Sequence, residues 1–527
     1  MLNNLTSSLS RLTALAAIAL LAALTGCAGL PPGPEREVTQ SARRAADTVL
    51  GGHAQRVALD AGESGFQGLP QAEYALDARV ELIRRAQRAI DLQTYQIAPD
   101  GVGRTMLKEL RDAARRGVRV RLLVDDFYTL GLDAALLQLA AHDGVSVRLY
   151  NPFVYGRDSA SGRFWNLLTD GRRLNHRMHN KLLLVDGAMA IVGGRNLTDD
   201  YFSRSAAGNF LDFDFLIVGA IVPELGDMFD RYWNHRRVVD IRRLSDDGRS
   251  AEQRRAAFDA FAALAPPYRP PGARDMLGFL PLGQALAAGE ARFRAARARA
   301  FADDPDKTFD PAAPRDLVQP NTTLAWIESQ TEPKQEAIVI SPYFLPDQRV
   351  RQRLTEAARL GVRITVLSNS VASSDEPLVA FASHSGRTEL LAAGVRLKEV
   401  MPHPVMHTPF TLNMPPGAAV RLHAKMGIFD RRTVGVGSIN LDPRSHRINT
   451  EMAMMVDSPE LAGEMAQALL AWMQTDGVHE VVRGESGWRF RTRHGDRVVE
   501  TDQEPGLDWW TRLRLRLVYM LVPDELL

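Results

Sequence analysis

Two short stretches of the chain place an imidazole and an ammonium two residues apart. His179-Asn180-Lys181 recurs 244 residues later as His423-Ala424-Lys425. A single His-x-Lys is weak evidence, but both copies continue to an aspartate at equal spacing, Asp186 and Asp430. Both then reach a small-residue corner closed by asparagine, Gly193-Gly194-Arg195-Asn196 and Gly437-Ser438-Ile439-Asn440. Lysine is scarce: the 64 basic residues include only Lys108, Lys181, Lys307, Lys334, Lys398 and Lys425, so two of six lysines fall in these stretches. Elsewhere positive charge is written as arginine, which marks these as positions where a compact ammonium was kept. Histidine beside lysine and asparagine is a set for proton transfer or nucleophilic attack next to developing negative charge.

The spacing also says what must position these groups. Residues two apart in a strand share a face, so each His and its Lys point the same way. Asp186-Gly187 between apolar runs signals a turn, and a β-hairpin centred there sets His179 beside Asn196; the second copy does the same for His423 and Asn440. The glycines Gly193, Gly194 and Gly437, with Ser438, would let a phosphate approach the backbone. Asp186 lies seven residues from His179, roughly 23 Å along an extended strand, so it and Asp430 hold turns and do not orient imidazoles. Asp214 in Asp212–Val218 and Glu451 in Asn449–Met455 open apolar, strand-like runs in the two halves and are the candidates for that task. A carboxylate on one ring nitrogen fixes the tautomer and stabilises the imidazolium; the plain alternative is a solubilising charge at a strand edge. A metal is not expected, because the lysine beside each motif histidine would repel a dication. His176, His403 and His407 are read as loop residues.

Repetition extends beyond the motifs. Ala113-Ala114-Arg115-Arg116-Gly117-Val118-Arg119-Val120 returns as Ala357-Ala358-Arg359-Leu360-Gly361-Val362-Arg363-Ile364, also 244 residues on. Each copy reads as a helix end, a glycine turn and a strand, preceded by the apolar runs Ala89–Ile97 and Ala337–Leu345. The expected fold class is α/β, written twice. Residues 61–250 and 321–495 form the halves, and 251–320 is a connecting insertion with an Ala/Arg-rich helical stretch to about Ala302. The insertion is assigned no chemistry, or a cover over the site. Residues 496–527 form a tail in which Trp509, Trp510 and Tyr519 interleave with Arg512, Arg514 and Arg516. That pattern suits a membrane interface or a helix packed on the body. The Met- and Pro-rich loop Val400–Pro416 is a candidate to admit acyl chains, or plain surface.

Composition narrows the classes. With 45% apolar and 24% charged residues the chain is neither disordered nor coiled coil. Its 64 basic residues against 63 acidic ones count against a nucleic-acid partner held by phosphate neutralisation. The one cysteine, Cys27, excludes a disulfide framework. It closes Leu24-Thr25-Gly26-Cys27 after the apolar run Leu12–Leu24, too short to span a bilayer but suited to a secretory signal. Residues 1–26 thus read as a lipoprotein signal peptide resembling a lipobox, with lipidation at Cys27. Residues 27–60 contain the Pro31–Pro34 tether. Ala28 after the cysteine points, by resemblance to sorting rules, to the periplasmic side of the outer membrane.

Two His-x-Lys-x4-Asp stretches, each followed by Gly-Gly/Ser-x-Asn, resemble the phospholipase D superfamily from about Ala75 to Glu480. Gly193–Asn196 and Gly437–Ser445 are most similar to bacterial C-type cardiolipin synthases. The resemblance implies two mixed sheet-and-helix halves packed around one active site. It also implies a cofactor-free phosphatidyltransferase acting through a phosphohistidine. His179 is then the nucleophile, His423 the acid, and Lys181, Lys425, Asn196 and Asn440 steady the phosphoryl oxygens. Membrane phospholipids, phosphatidylglycerol and a second phospholipid, are the implied partners. Hydrolysis to phosphatidic acid, a nuclease and a non-enzymatic envelope scaffold are the alternatives.

Overall fold

A computed structural model describes residues 37–43, 46–307, 321–402, 414–485 and 487–520, with Leu30 and Val522. Cys27, the signal and tether segments, His403, His407 and most of the loop 400–416 lie outside the described residues.

Strands of the first half are β1 (Ser64–Leu69), β2 (Ala89–Thr94), β3 (Arg119–Asp125), β4 (Val145–Tyr150), β5 (Leu182–Val185), β6 (Met189–Gly193), β7 (Gly208–Leu211), β8 (Asp214–Gly219) and β9 (Val238–Asp240). After β10 (Arg294–Ala302), the second half supplies β11 (Glu336–Ile340), β12 (Arg363–Asn369), β13 (Arg396–Val400), β14 (Ala419–Leu422), β15 (Met426–Phe429), β16 (Thr433–Gly437), β17 (Met452–Asp457), β18 (Val478–Gly484), β19 (Gly487–His494) and β20 (Arg497–Thr501). Eighteen of them form one continuous sheet.

The repeat is visible in the pairing. β2, β3 and β4 run parallel, as do β11, β12 and β13. In each half a hairpin, β5–β6 or β15–β16, adds antiparallel to the first of these strands. Helix Gly101–Arg115 is capped by the Asp100 side chain and leads into β3 through Gly117. Gly117 and its repeat Gly361 adopt φ of +91° and +96°, a left-handed conformation that glycine reaches without Cβ strain.

One cluster joins the halves. Leu182, Leu184, Val192, Phe215 and Trp233 pack with Ile338, Met426, Val434, Met454 and Trp472 in a single core. Leu183 and Val185, of opposite parity, face a separate core under the first half's helices. β5 is therefore buried on both faces and reads as an unbroken apolar run.

The Ala/Arg-rich stretch is not helical to Ala302. Its last nine residues form β10, which pairs with β1 through Ala296 and with β17 from Arg297 on, and so carries the sheet from one half to the other. Alanine and arginine favour helix locally. Their alternation has period two, however, burying Ala296, Ala300 and Ala302, and two waiting strand edges decide the outcome. Of the described insertion, only Lys307 lines the cavity between the halves.

Candidate active site

Each hairpin departs from the expected register just where the chemistry begins. The β5–β6 ladder is centred on Gly187 and ends at the Leu182–Val192 pair. His179 therefore does not pair with Asn196; its backbone N–H donates to Thr450 O in the other half (2.9 Å). In the second copy the ladder ends at Met426–Val436, and His423 N–H donates to Leu211 O (2.7 Å). A parallel bridge Met178–Thr450 and the parallel pair β7–β14 support these crossings.

The crossings swap the carboxylates. His179 Nδ1 lies 2.9 Å from Glu451 Oε2 and 3.0 Å from Ser438 O. His423 Nδ1 lies 2.7 Å from Asp212 Oδ2. Each imidazole is held by an acid of the opposite half. Asp214 does not reach a histidine: it is fully buried between Arg79 (3.0 Å) and Arg195 (2.8 Å). Strand register shows why Asp212 and not Asp214 matches Glu451. Gly193 pairs with Asp214 and Gly437 with Ala453, so the residues two before those partners are Asp212 and Glu451. The sequence offers Asp212 and Asp214 with the same strand parity, and a longer loop in the first half hides the alignment.

The corner glycines serve these carboxylates. A Cβ on Gly194 would sit 2.2 Å from Asp212 Oδ1, one on Gly193 2.0 Å from Asp214 Oδ1, and one on Gly437 2.2 Å from Met452 O. Ser438 Oγ donates to Glu451. These small residues make room for the packed acid-bearing strands, and none of them lines the cavity between the halves.

The motif aspartates stand at the turns. Asp186, at φ +56°, accepts from the backbone N–H groups of Gln87, Arg88 and Ala89. Asp430 accepts from Lys334, Gln335 and Glu336. Each ties its hairpin turn to the start of the neighbouring strand.

Both histidines, with Asn196 and Asn440, line one cavity of 1080 Å³ between the halves. Lys181 and Lys425 are buried beside them and donate to the carbonyls of His179 (2.7 Å) and His423 (2.6 Å). Burial, then the charge of Lys425, brings the Lys181 ammonium down to about 7. Burial brings Lys425 to about 8 against the pull of Asp212 and Glu451. His179 falls to about 4, chiefly through burial, and His423 falls well below its usual value through burial and the two ammonium groups. Burial alone would raise Glu451, yet His179, Lys181 and Ser438 hold it below the ordinary range. Burial thus keeps both imidazoles neutral near pH 7, with the Asp212 and Glu451 carboxylates facing the two ammonium groups.

The two ring environments differ. Nδ1 of His179 faces a carbonyl and a carboxylate, so it carries the proton and Nε2 keeps its lone pair. Among the described residues Nε2 has no hydrogen-bond partner; the Tyr95 ring edge packs on the imidazole with centroids 4.8 Å apart. Nε2 of His423 instead meets Lys425 Nζ at 3.0 Å and the Tyr201 hydroxyl at 3.1 Å, and that hydroxyl oxygen accepts from Asn196 Nδ2 at 3.0 Å. Tyr201 and Asp212 are site residues that lie outside the two repeated motifs. Neither has a repeat partner at the 244-residue offset bearing the same group, where Ser445 and Val456 stand. His176 also lines the cavity, its ring buried and pushed down to about 3 by burial and by Arg237.

The family described as "Cardiolipin synthase, PLD-like domain" matches twice, over residues 80–233 and 327–473. The chain belongs to the phospholipase D superfamily. It is 32% identical to cardiolipin synthase C of Escherichia coli over 471 residues, covering 88% of this chain and 97% of that protein. A cardiolipin synthase of Staphylococcus aureus is 26% identical over 75% of this chain and 64% of its own length. A solved phosphatidylserine synthase of Haemophilus influenzae shares the fold, with a TM-score of 0.52 at 13% identity, over 80% of this chain and 88% of that one. The protein is therefore a phospholipase D-superfamily enzyme homologous to cardiolipin synthases, with phospholipids as the implied substrate class.

Proposed function

We propose that this chain is a lipid-anchored phosphatidyltransferase that makes cardiolipin. It takes a phosphatidyl group from phosphatidylglycerol and passes it to the headgroup hydroxyl of a second phospholipid. The observation that carries the reading is the crossed pair of buried carboxylate–imidazole units facing one cavity with two buried ammonium groups.

In the first step the lone pair of His179 Nε2 forms a bond to phosphorus and the bond from phosphorus to the glycerol oxygen breaks. His423, as the imidazolium held by Asp212, gives its Nε2 proton to that oxygen. The arriving phosphodiester anion adds negative charge beside Lys181 and Lys425, which raises the proton affinity of His423. In the second step the acceptor hydroxyl loses its proton to His423 Nε2, its oxygen attacks phosphorus and the P–N bond breaks. The ammonium groups and the amides of Asn196 and Asn440 meet the charge that grows on the phosphoryl oxygens. The free Nε2 on His179, against the Tyr201-bonded Nε2 on His423, supports this order of roles. Anchoring through Cys27 on the periplasmic side of the outer membrane rests on the sequence of residues 12–28.

Purified full-length protein with phosphatidylglycerol vesicles should release glycerol and accumulate cardiolipin, and His179→Ala should stop both. Phosphatidic acid as the sole product would replace the transferase reading with a hydrolase. No new lipid with any acceptor would defeat both.

A further inference from the structure

Nine of the nineteen exposed large apolar side chains of the described residues belong to two helices and their ends. Helix Ala160–Leu174 turns Phe164, Trp165, Leu167 and Leu168 to solvent, with Trp165 64% exposed. Phe164, Trp165 and Leu168 fall within about a third of the helix circumference at 100° per residue, and the exposed Arg172 follows a kink at Asp170. The same helix enters the cavity wall through Leu167 and the segment Asp170–Arg173.

On another wall, helix Pro377–Ala382 contributes Leu378 and Val379, and helix Trp509–Tyr519 packs on it. The contact is thin. Leu515 sits against Val371 and Ala380, and the Tyr519 ring meets Phe381 edge-on at 6.0 Å. The opposite face carries Trp509, Trp510, Leu517 and Met520, with Trp510 73% exposed, flanked by Arg514 and Arg516. The outward face of this helix is more apolar than the inward one, and no acidic residue lies between Trp509 and Met520. Such a helix, with aromatic rings at its centre and arginines at its borders, is suited to lie in the headgroup layer of a bilayer. Among the described residues no helix is long and apolar enough to cross one.

We propose that these two helices form a bilayer-docking face around the cavity mouth, with an anionic phospholipid surface as its occupant. Phe164, Trp165 and Leu168 enter from one side and Trp509, Trp510, Leu517 and Met520 from the other. Arg172, Arg514 and Arg516 meet lipid phosphates, each contributing an attraction to an anionic surface. The opening then faces the membrane, and a phospholipid reaches the histidines without crossing water. The face builds on the reading that the substrate is a phospholipid and adds how the enzyme sits on it.

Cys27 is the only cysteine, so the full-length Cys27→Ser chain can carry one introduced thiol. Trp165→Cys, Trp510→Cys and Leu360→Cys are each labelled with an environment-sensitive dye and mixed with vesicles of phosphatidylglycerol and phosphatidylcholine. Leu360 is 79% exposed and does not line the cavity, so it is the control. The apolar run 12–24 is common to all three variants, so the readout is orientation. Labels at 165 and 510 should shift their emission to the blue and lose it to brominated acyl chains, while the label at 360 stays in water. Labels at 165 and 510 that remain in water, or three labels that behave alike, would overturn the proposal. Insertion without cardiolipin synthesis would sink the proposed reaction and keep the face; synthesis without insertion would do the reverse.

Discussion

Replacing Asp212 by asparagine tests whether the crossed carboxylates run the chemistry. Both carboxylate oxygens of Asp212 are engaged: Oδ1 accepts from Phe213 N–H at 2.7 Å and Oδ2 from His423 Nδ1 at 2.7 Å. An amide has one acceptor. If its oxygen stays with Phe213, its NH2 faces His423 and forces the ring proton onto Nε2. His423 then cannot take a proton from the acceptor alcohol. If the oxygen stays with His423, two donors meet at Phe213. In either case the imidazolium loses a counter-charge in a buried site. At an effective dielectric near 20, unit charges about 4 Å apart attract by about 4 kcal/mol, which corresponds to roughly a thousandfold in rate. We expect kcat for cardiolipin formation from phosphatidylglycerol vesicles to fall by about that factor. The thermal midpoint should move little, because the His423 that Asp212 faces is neutral before substrate binds and no ion pair is broken. Asp214→Asn should do the opposite. It strands Arg79 and Arg195 in the core and costs about 3–5 kcal/mol of stability, with a smaller loss of kcat in whatever folds. An Asp212→Asn enzyme with wild-type kcat, beside an inactive but stable Asp214→Asn enzyme, would refute the assignment.

Glu451→Gln should lose less than Asp212→Asn, on the order of tenfold to a hundredfold in kcat. The Ser438 carbonyl still holds the proton on His179 Nδ1 (3.0 Å), and initial rates compare the two variants directly. The pH dependence of kcat/KM should be bell-shaped. An acid limb near 4 follows as His179 gains a proton, and a basic limb near 7 as Lys181 loses one. Bound substrate supplies an anion, so the basic limb of kcat should lie higher; limbs identical for the two parameters would contradict this. Unfolded Lys181 keeps its proton up to about 10.5, while folded Lys181 releases it at about 7. Over that window the unfolded chain binds more protons, so this group makes stability rise with pH. Lys181→Met should flatten that rise in urea midpoints while abolishing activity. Asp186→Ala leaves three backbone N–H groups without their acceptor at a buried turn and should cost roughly 3 kcal/mol. Asp430→Ala, at a more exposed turn, should cost about 1 kcal/mol, and both should keep kcat, as denaturation and rate measurements will decide.

Much of this architecture is legible in one dimension because it is local or repeated. The 244-residue offset exposes the duplication. The unbroken apolar run Leu182–Val185, and Asp186 ahead of Gly187 at the turn, announce a hairpin. The scarcity of lysine singles out Lys181 and Lys425. Such signals depend on backbone conformation and side-chain parity within a few residues, and the chain cannot hide them. What the tertiary structure decided is which distant groups meet. Parity alone makes Asp212 and Asp214 equivalent, and only the backbone bonds from His179 to Thr450 and from His423 to Leu211 hand each imidazole to an acid of the other half. The same holds for β10, whose alanines and arginines would accept a helix until two open strand edges claim them. Tyr201 reaches His423 across 222 residues of sequence. Pairings of this kind depend on which surfaces the shared core presses together, a property of the packed molecule that no local pattern encodes.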